Sequence, residues 1–356
     1  MAKEDDVQEA DRLEGVPHPR ETSVLFGHSQ AERAFLDAYR GGRFPHAWIL
    51  GGPEGVGKAT FAYRASRFLL ARGDPASSAV QQATDLSIDP EHPAARKVAA
   101  RGHGGLFVLR RQWNPEKKSM PTVIPVDLAR KAISFFESTS AEGGWRVCIV
   151  DCAEDLNVNG ANALLKVVEE PPQRSLFLIV SHMPGRLLPT IRSRCRMLAF
   201  RPLEPEEVSR ALASSPAGGN DAALQRRAAE LSGGSVRHAF KILDEGTLAI
   251  VEHIRAALDR LPAIDWTDLH AVAEGLTGRV NEAAFETTIE TIFDWLGEQT
   301  ERRAGEGARR LAPLAEVWDK IARQVRETDS YNLDRRALVL TLFTDLSDAL
   351  RASRAA

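Results

Sequence analysis

The sequence predicts an α/β fold of P-loop type followed by helices, and three observations predict it. An apolar run, Ala47 to Leu50, leads into the glycine-rich string Gly52-Pro53-Glu54-Gly55-Val56-Gly57-Lys58. Three further apolar runs, 106–109, 147–150 and 176–180, lack polar alternation, as parallel strands covered on both faces by helices require. Beyond about residue 202 the apolar residues recur only at helical spacing.

The 356 residues suffice for roughly two to three domains of about 100–200 residues each. The first twenty are acidic and polar, which excludes a secretory signal and reads as a mobile tail. After the glycine string, Phe61, Ala65, Phe68 and Leu69 mark a helix, completing strand, glycine loop, helix. Residues 73–105 carry Pro75, Pro90 and Pro93 with weak periodicity, expected as an inserted helical hairpin or loop. Leu128, Ala132, Phe135 and Phe136 share one helical face, and Ala161, Leu164, Leu165 and Val168 share another, stopped by Pro171-Pro172. A fifth strand is expected at 197–200. Three stripes then follow, built on Phe285 to Leu296, Leu314 to Val325 and Leu338 to Leu350; they predict a helical bundle whose apolar faces form its own core.

Charge and cysteine usage narrow the function classes. A net charge of −3 and a pI near 6.3 argue against wrapping nucleic acid by bulk electrostatics, so any DNA contact is local or shared with partners. One basic cluster, Arg110, Arg111, Lys117 and Lys118, reads as a solvated loop; a second is Arg186, Arg192, Arg194 and Arg196. Cys148, Cys152 and Cys195 form no Cys-x-x-Cys pair, so neither a cysteine zinc site nor a disulfide framework is expected. A cytoplasmic location fits these features.

The glycine string matches G-x-x-x-x-G-K: Gly52, Gly55 and Gly57 let backbone N–H groups turn toward phosphate oxygens, and Lys58 reaches the β- and γ-phosphates. The next position normally supplies a hydroxyl to the magnesium ion, but here it is Ala59. Thr60 follows, about 100° further round a helix of ~3.6 residues per turn. Asp151 ends an apolar strand, as a magnesium-contacting carboxylate does, but the water-activating position after it is Cys152, with Glu154 a weak substitute. Phosphate binding is therefore expected to outlast magnesium-assisted hydrolysis.

The string Asn159 to Pro172, with Asn162-Ala163-Leu164-Leu165-Lys166 and Glu169-Glu170-Pro171-Pro172, and Ser193-Arg194-Cys195 resemble the bacterial clamp-loader AAA+ proteins. Pro45-His46-Ala47 and Gly234-Ser235-Val236-Arg237-His238-Ala239 look similar too, so the resemblance covers about residues 22 to 245. It implies an AAA+ P-loop domain with a parallel five-stranded sheet and helices on both faces over 22–201, a small helical lid over 202–247, and an all-helical collar over 248–356, after a flexible tail over 1–21. It further implies that Arg194 enters the ATP site of a neighbouring subunit. Arg237 looks like the lid arginine that contacts phosphate in a chain's own site, with a lid-to-core salt bridge as the alternative, and Ser181-His182 fall in the region that senses the γ-phosphate. The family's motor subunits carry intact motifs and a four-cysteine zinc module. Ala59, Cys152 and the cysteine-free stretch 73–105 instead look like a stator subunit with weak or absent ATPase activity. Its implied partners are the gamma/tau and delta subunits, with sliding clamp and primed DNA reached through the complex. No metal is expected, and ATP or ADP is left open at a degenerate site built from Gly52, Gly55, Gly57, Lys58, Thr60, Asp151 and Arg237. A catalytically active gamma/tau-like ATPase is the alternative.

Overall fold

The apolar runs become strands β1 (Ala47–Gly51), β2 (Leu106–Arg110), β3 (Arg146–Asp151), β4 (Ser175–Ser181) and β5 (Arg196–Ala199). In the computed structural model they form one sheet in the order β2-β3-β4-β1-β5, and every pairing is parallel. The structure describes residues 9, 12, 13, 15–114, 120–137, 144–243, 245–276, 282–331 and 333–355. Lys117 and Lys118 of the first basic cluster lie outside them.

The strands lack alternation because the sheet is covered twice. Trp48, Leu50, Val147, Ile149, Leu176 and Leu178 face one core, shared with Phe35 of α1 (Ser29–Arg40) and Phe61 and Phe68 of α2 (Lys58–Ala71). The intervening residues Ala47, Ile49, Cys148, Val150, Phe177 and Ile179 face the other, closed by Phe136 of α5 (Val126–Glu137) and Leu164 of α6 (Val158–Glu169). Fully burying each such large side chain contributes about 1.5–3 kcal/mol, so both faces of the sheet hold the domain together. Between α2 and β2 the stretch expected as a hairpin or loop forms two short helices, α3 (Ser78–Gln81) and α4 (Pro93–Ala99). Pro93 opens α4 at its first turn, where proline's missing N–H costs nothing.

Helix α6, which carries the longest motif, starts at Asn157, whose side chain accepts from the Gly160 N–H at 2.7 Å, and Pro171-Pro172 follow its end. A short helix α7 (Pro189–Arg192) leads into β5.

The chain divides into two compact units, Met1–Glu207 with Ser215–Ala217, and Val208–Ser214 with Gly218–Ala356. The division falls inside α8 (Pro205–Ala213). The second unit continues with α9 (Ala222–Leu231), α10 (Val236–Lys241), α11 (Glu245–Asp259), α12 (Trp266–Gly275), α13 (Glu282–Arg302), α14 (Ala308–Tyr331) and α15 (Arg335–Ala355). Phe285, Ile289, Ile292, Leu296, Leu314, Ile321, Leu338, Leu342 and Phe343 meet in one core, so the three C-terminal stripes pack on one another. No helix among the described residues is long and apolar enough to cross a membrane.

Two sequence expectations need correction. Glu9, His18 and Arg20 lie in the stretch expected as a mobile tail, yet all three are buried, because Arg101 and Arg110, far along the chain, supply partners. Arg110 and Arg111 are likewise not solvated loop residues: Arg110 ends β2 and binds Glu9, and Arg111 Nε lies 2.7 Å from Asp155.

Candidate phosphate loop and a distant arginine

The glycines of the loop are conformational requirements. Gly52, Gly55 and Gly57 have φ of 154°, 75° and 109°, the range that side chains disfavour. At Gly52 a Cβ would also lie 2.1 Å from the Phe200 carbonyl oxygen. The loop is fixed further by His28, whose Nε2–H donates to the Val56 carbonyl at 2.8 Å and whose ring packs on Phe200 at 4.7 Å. Burial, helped by the positive charges of Arg201 and Lys58, lowers the His28 pKa.

Lys58 opens α2 and is 3% exposed. Its ammonium donates to the Gly52 carbonyl at 2.6 Å and to that of Pro53, so the amine lies over the hollow of the loop. Burial lowers its pKa to about 8, against the opposing field of Glu54, Asp151 and Glu154. The loop, Lys58 and Asp151 are thus one electrostatic neighbourhood, although β4 separates the strands of Asp151 and the loop by two spacings, about 10 Å. Thr60 sits one residue beyond Ala59 on α2.

The hydrolytic positions are otherwise engaged. Burial, with Asp155, Glu154 and Asp151 adding to it, raises the Cys152 pKa, leaving a protonated thiol that serves neither as base nor as nucleophile. Glu154 Oε1 accepts from the Ser181 hydroxyl at 2.5 Å and the Met183 N–H at 2.8 Å. This ties the turn after β3 to the end of β4. The carboxylate considered as a substitute base and the residue in the sensing position therefore bind each other. His182 follows Ser181 and is half-buried. A phosphate group fits the glycine cradle and Lys58. A magnesium ion fits poorly, because the Ala59 methyl offers no oxygen where one is needed. Among the described residues, no group of three or more His, Cys, Asp or Glu could hold a metal ion.

Arg194 sits elsewhere. The strands are parallel, with Trp48 beside Arg196 and Gly51 beside Ala199, so the phosphate loop leaves the carboxyl ends while Arg194 precedes the amino end of β5. The strand between spans about 10 Å at ~3.3 Å per residue. Arg194 Nη2 lies 2.9 Å from Glu169 Oε1 and its Nη1 donates to the Thr190 carbonyl at 3.1 Å, with 40% of the side chain exposed. Nearby, His46 Nε2–H donates to the Val168 carbonyl at 2.8 Å, and the Arg196 guanidinium covers the Trp48 ring at 4.9 Å. Motifs scattered from Pro45 to Arg194 in sequence thus gather at one end of the sheet.

Arg237 lies in the second unit, on α10. The Ser235 hydroxyl accepts from the His238 N–H at 3.2 Å. His238 Nδ1 pairs with Asp294 Oδ2 at 2.6 Å and Lys241 Nζ with Glu290 Oε1 at 2.5 Å, which anchors α10 to α13. The structure therefore brings together Gly52, Gly55, Gly57, Lys58 and Asp151, places Thr60 in the same first turn of α2 as Lys58, and sets Arg194 at the opposite strand ends. Sequence reasoning missed His28 and the Glu154–Ser181 bridge. A histidine directly after Gly27 and before a helix start is the only signal for the first, and nothing local signals the second.

A sequence model of the family described as DNA polymerase III, delta subunit, matches residues 27–204. DNA polymerase III subunit delta' of Pseudomonas aeruginosa is 38% identical over 206 residues, covering 56% of this chain and 56% of that protein. DNA polymerase III subunit gamma/tau of Mycobacterium tuberculosis is 28% identical over 330 residues, covering 89% of this chain and 53% of that protein. The chain thus spans little more than half the length of these curated relatives. A solved DNA polymerase III, gamma subunit-related protein from Thermotoga maritima aligns over 92% of this chain and all of that one at 14% identity, with a TM-score of 0.38.

Proposed function

Because this chain belongs to the DNA polymerase III, delta subunit family, we propose that it acts as delta-prime, the stator subunit of a bacterial clamp loader. In this role it helps an ATP-driven complex place the sliding clamp on primed DNA. The observation that carries the reading is the position of Arg194, half-exposed and at the strand ends opposite the chain's own phosphate loop. From there it cannot serve that loop but is free to serve a neighbour. Its carboxylate partner among the described residues, Glu169, is itself exposed, and such surface pairs contribute about 0–1 kcal/mol, so little opposes transfer of the guanidinium to a γ-phosphate. There it would stabilise the charge that develops on the equatorial oxygens in the transition state.

The proposed partners are the gamma/tau motor subunits and delta, with clamp and DNA reached through the assembly. The chain's own loop is a phosphate site for ATP or ADP, held by backbone N–H groups around Gly52, Gly55 and Gly57 and by Lys58. Thr60, Asp151 and Arg237 are lesser candidates at that site. Ala59 and the protonated Cys152 support weak or absent turnover. The expected outcome is that Arg194→Ala leaves the subunit folded and assembled while ATPase activity of the reconstituted complex falls by at least about tenfold, arginine fingers being worth roughly 10³ or more. Unchanged activity of the complex would remove the basis for the trans role.

An active gamma/tau-like ATPase is the second reading, favoured by the intact glycine cradle and the gamma/tau match over 89% of the chain. Magnesium-dependent ATP hydrolysis by the isolated chain, lost in Lys58→Ala, would establish it in place of the stator.

A further inference from the structure

His28 begins one helix and serves another element. It stands immediately before α1, where its carbonyl accepts from the Glu32 N–H at 3.1 Å. Its side chain makes no capping bond to that helix and turns instead to the phosphate loop, with 4% of the residue exposed. Nε2–H donates to the Val56 carbonyl at 2.8 Å, and the ring lies 4.7 Å from that of Phe200. Phe200 packs in turn on Phe61 of α2 at 5.2 Å, and its carbonyl oxygen closes on Gly52 at the other end of the loop. Gly27 permits this approach: its φ is +74°, and a Cβ there would lie 2.2 Å from Leu203 Cδ2.

One peptide plane carries the consequence. The Val56–Gly57 bond is trans, so its C=O and N–H point in opposite directions. A donor that holds the Val56 carbonyl on the packed side of the loop turns the Gly57 N–H to the other side. The packed side is marked by Gly57 itself, where a Cβ would lie 3.1 Å from Leu25 Cδ1 and 3.7 Å from the His28 ring. The Gly57 N–H therefore faces the open side, beside the first N–H groups of α2, which have no partner within their own helix. Converging N–H groups of this kind are what a phosphate binds. Gly57, lacking a Cβ, resists rotation of the plane little, so the hydrogen bond from His28 decides its orientation. Burial, joined by the positive charge of Arg201, lowers the His28 pKa, so the neutral ring orients the peptide without adding a charge of its own.

We propose that His28 is a positioning residue of the phosphate loop: its Nε2–H fixes the Val56–Gly57 peptide so that the Gly57 N–H is presented to the phosphate of a bound nucleotide. This role rests on the loop being the phosphate site proposed above. His28 acts through the backbone and not by touching the ligand. A packing role alone would make affinity follow stability, whereas a positioning role separates the two.

The test measures ADP binding by calorimetry, and Tm, on the full chain and its variants. His28→Leu and His28→Gln both lose the ring contact with Phe200 and are expected to lower Tm by similar amounts. Only the glutamine variant keeps an N–H where Nε2 stood. ADP is expected to bind His28→Leu at least about tenfold more weakly than the wild type, and His28→Gln within about threefold of it, since a hydrogen bond to a charged group is worth about tenfold or more. Should His28→Leu fail to fold, His28→Met also removes the donor with a more adaptable side chain, and the same loss is expected. Amide NMR of glycine-labelled protein gives a second reading: the Gly57 resonance moves on addition of ADP to the wild type and to His28→Gln, and stays in place in His28→Leu. Equal affinity in His28→Leu and the wild type, or equal losses in His28→Leu and His28→Gln, overturns the proposal. Either result leaves the phosphate site standing so long as the wild type binds ADP. A wild type that binds no ADP removes the site itself, and the role of His28 with it.

Discussion

Lys58 shows how one side chain serves two demands. Burial takes its pKa to about 8, against about 10.4 in an unfolded chain, so folding releases a proton between those values. Stability contributed through this group therefore rises as pH goes from about 8 to about 10.4, where the cost of burying the charge disappears. Phosphate affinity at the proposed loop site is expected to run the other way, because only the ammonium form attracts the anion. ADP binding to the isolated chain, followed by calorimetric titration, is expected to weaken above about pH 8, approaching tenfold per pH unit for a single linked proton. An affinity that stays flat to pH 9.5 would mean that Lys58 does not meet the phosphate. At this scale the sequence was a good guide where chemistry is local. The string Gly52 to Lys58 announces its loop because glycine spacing and backbone geometry are one fact. Glu154 and Ser181, 27 residues apart, announce nothing, since neither position carries a mark of the other. Glu9 and Arg20 misled for a related reason: an acidic, polar segment reads as solvated until partners some ninety residues away are brought beside it.

Elements were legible in proportion to the burial of their faces. The strands could be found because two cores bury every position of β1 and β4, which leaves an unbroken apolar run. Helix α6 could be found because Asn157 begins it and two prolines end it. Residues 73–105 were opaque because α3 and α4 are short, four and seven residues, and are positioned by Val80, Leu86 and Val98 inserting into the first core rather than by any period of their own. The turn between α9 and α10 carries a stricter demand. Gly233 has φ of +60°, and a Cβ there would lie 2.8 Å from Asp294 Cγ, on the carboxylate that holds His238. Gly233→Ala is expected to destabilise the protein by more than about 1 kcal/mol, measurable as a lower urea midpoint. An unchanged midpoint would show that α10 is not seated on α13 through this contact.

On the scale of the molecule, the first unit is organised along the direction of its strands. The glycine loop, Lys58 and Asp151 collect at their carboxyl ends. The exposed guanidinium of Arg194, the His46 bond and the last turn of α6 collect at their amino ends. A sheet whose strands all run one way is a vector, with a head that receives anions and a tail that offers a cation. Contacts that join head to tail are heterologous, so they generate rows, arcs or rings and do not close as twofold pairs. On the proposed reading, the parallel strand order fixes more than the position of a loop: it would make this subunit a directional link, whose neighbours on its two sides would differ in what they present.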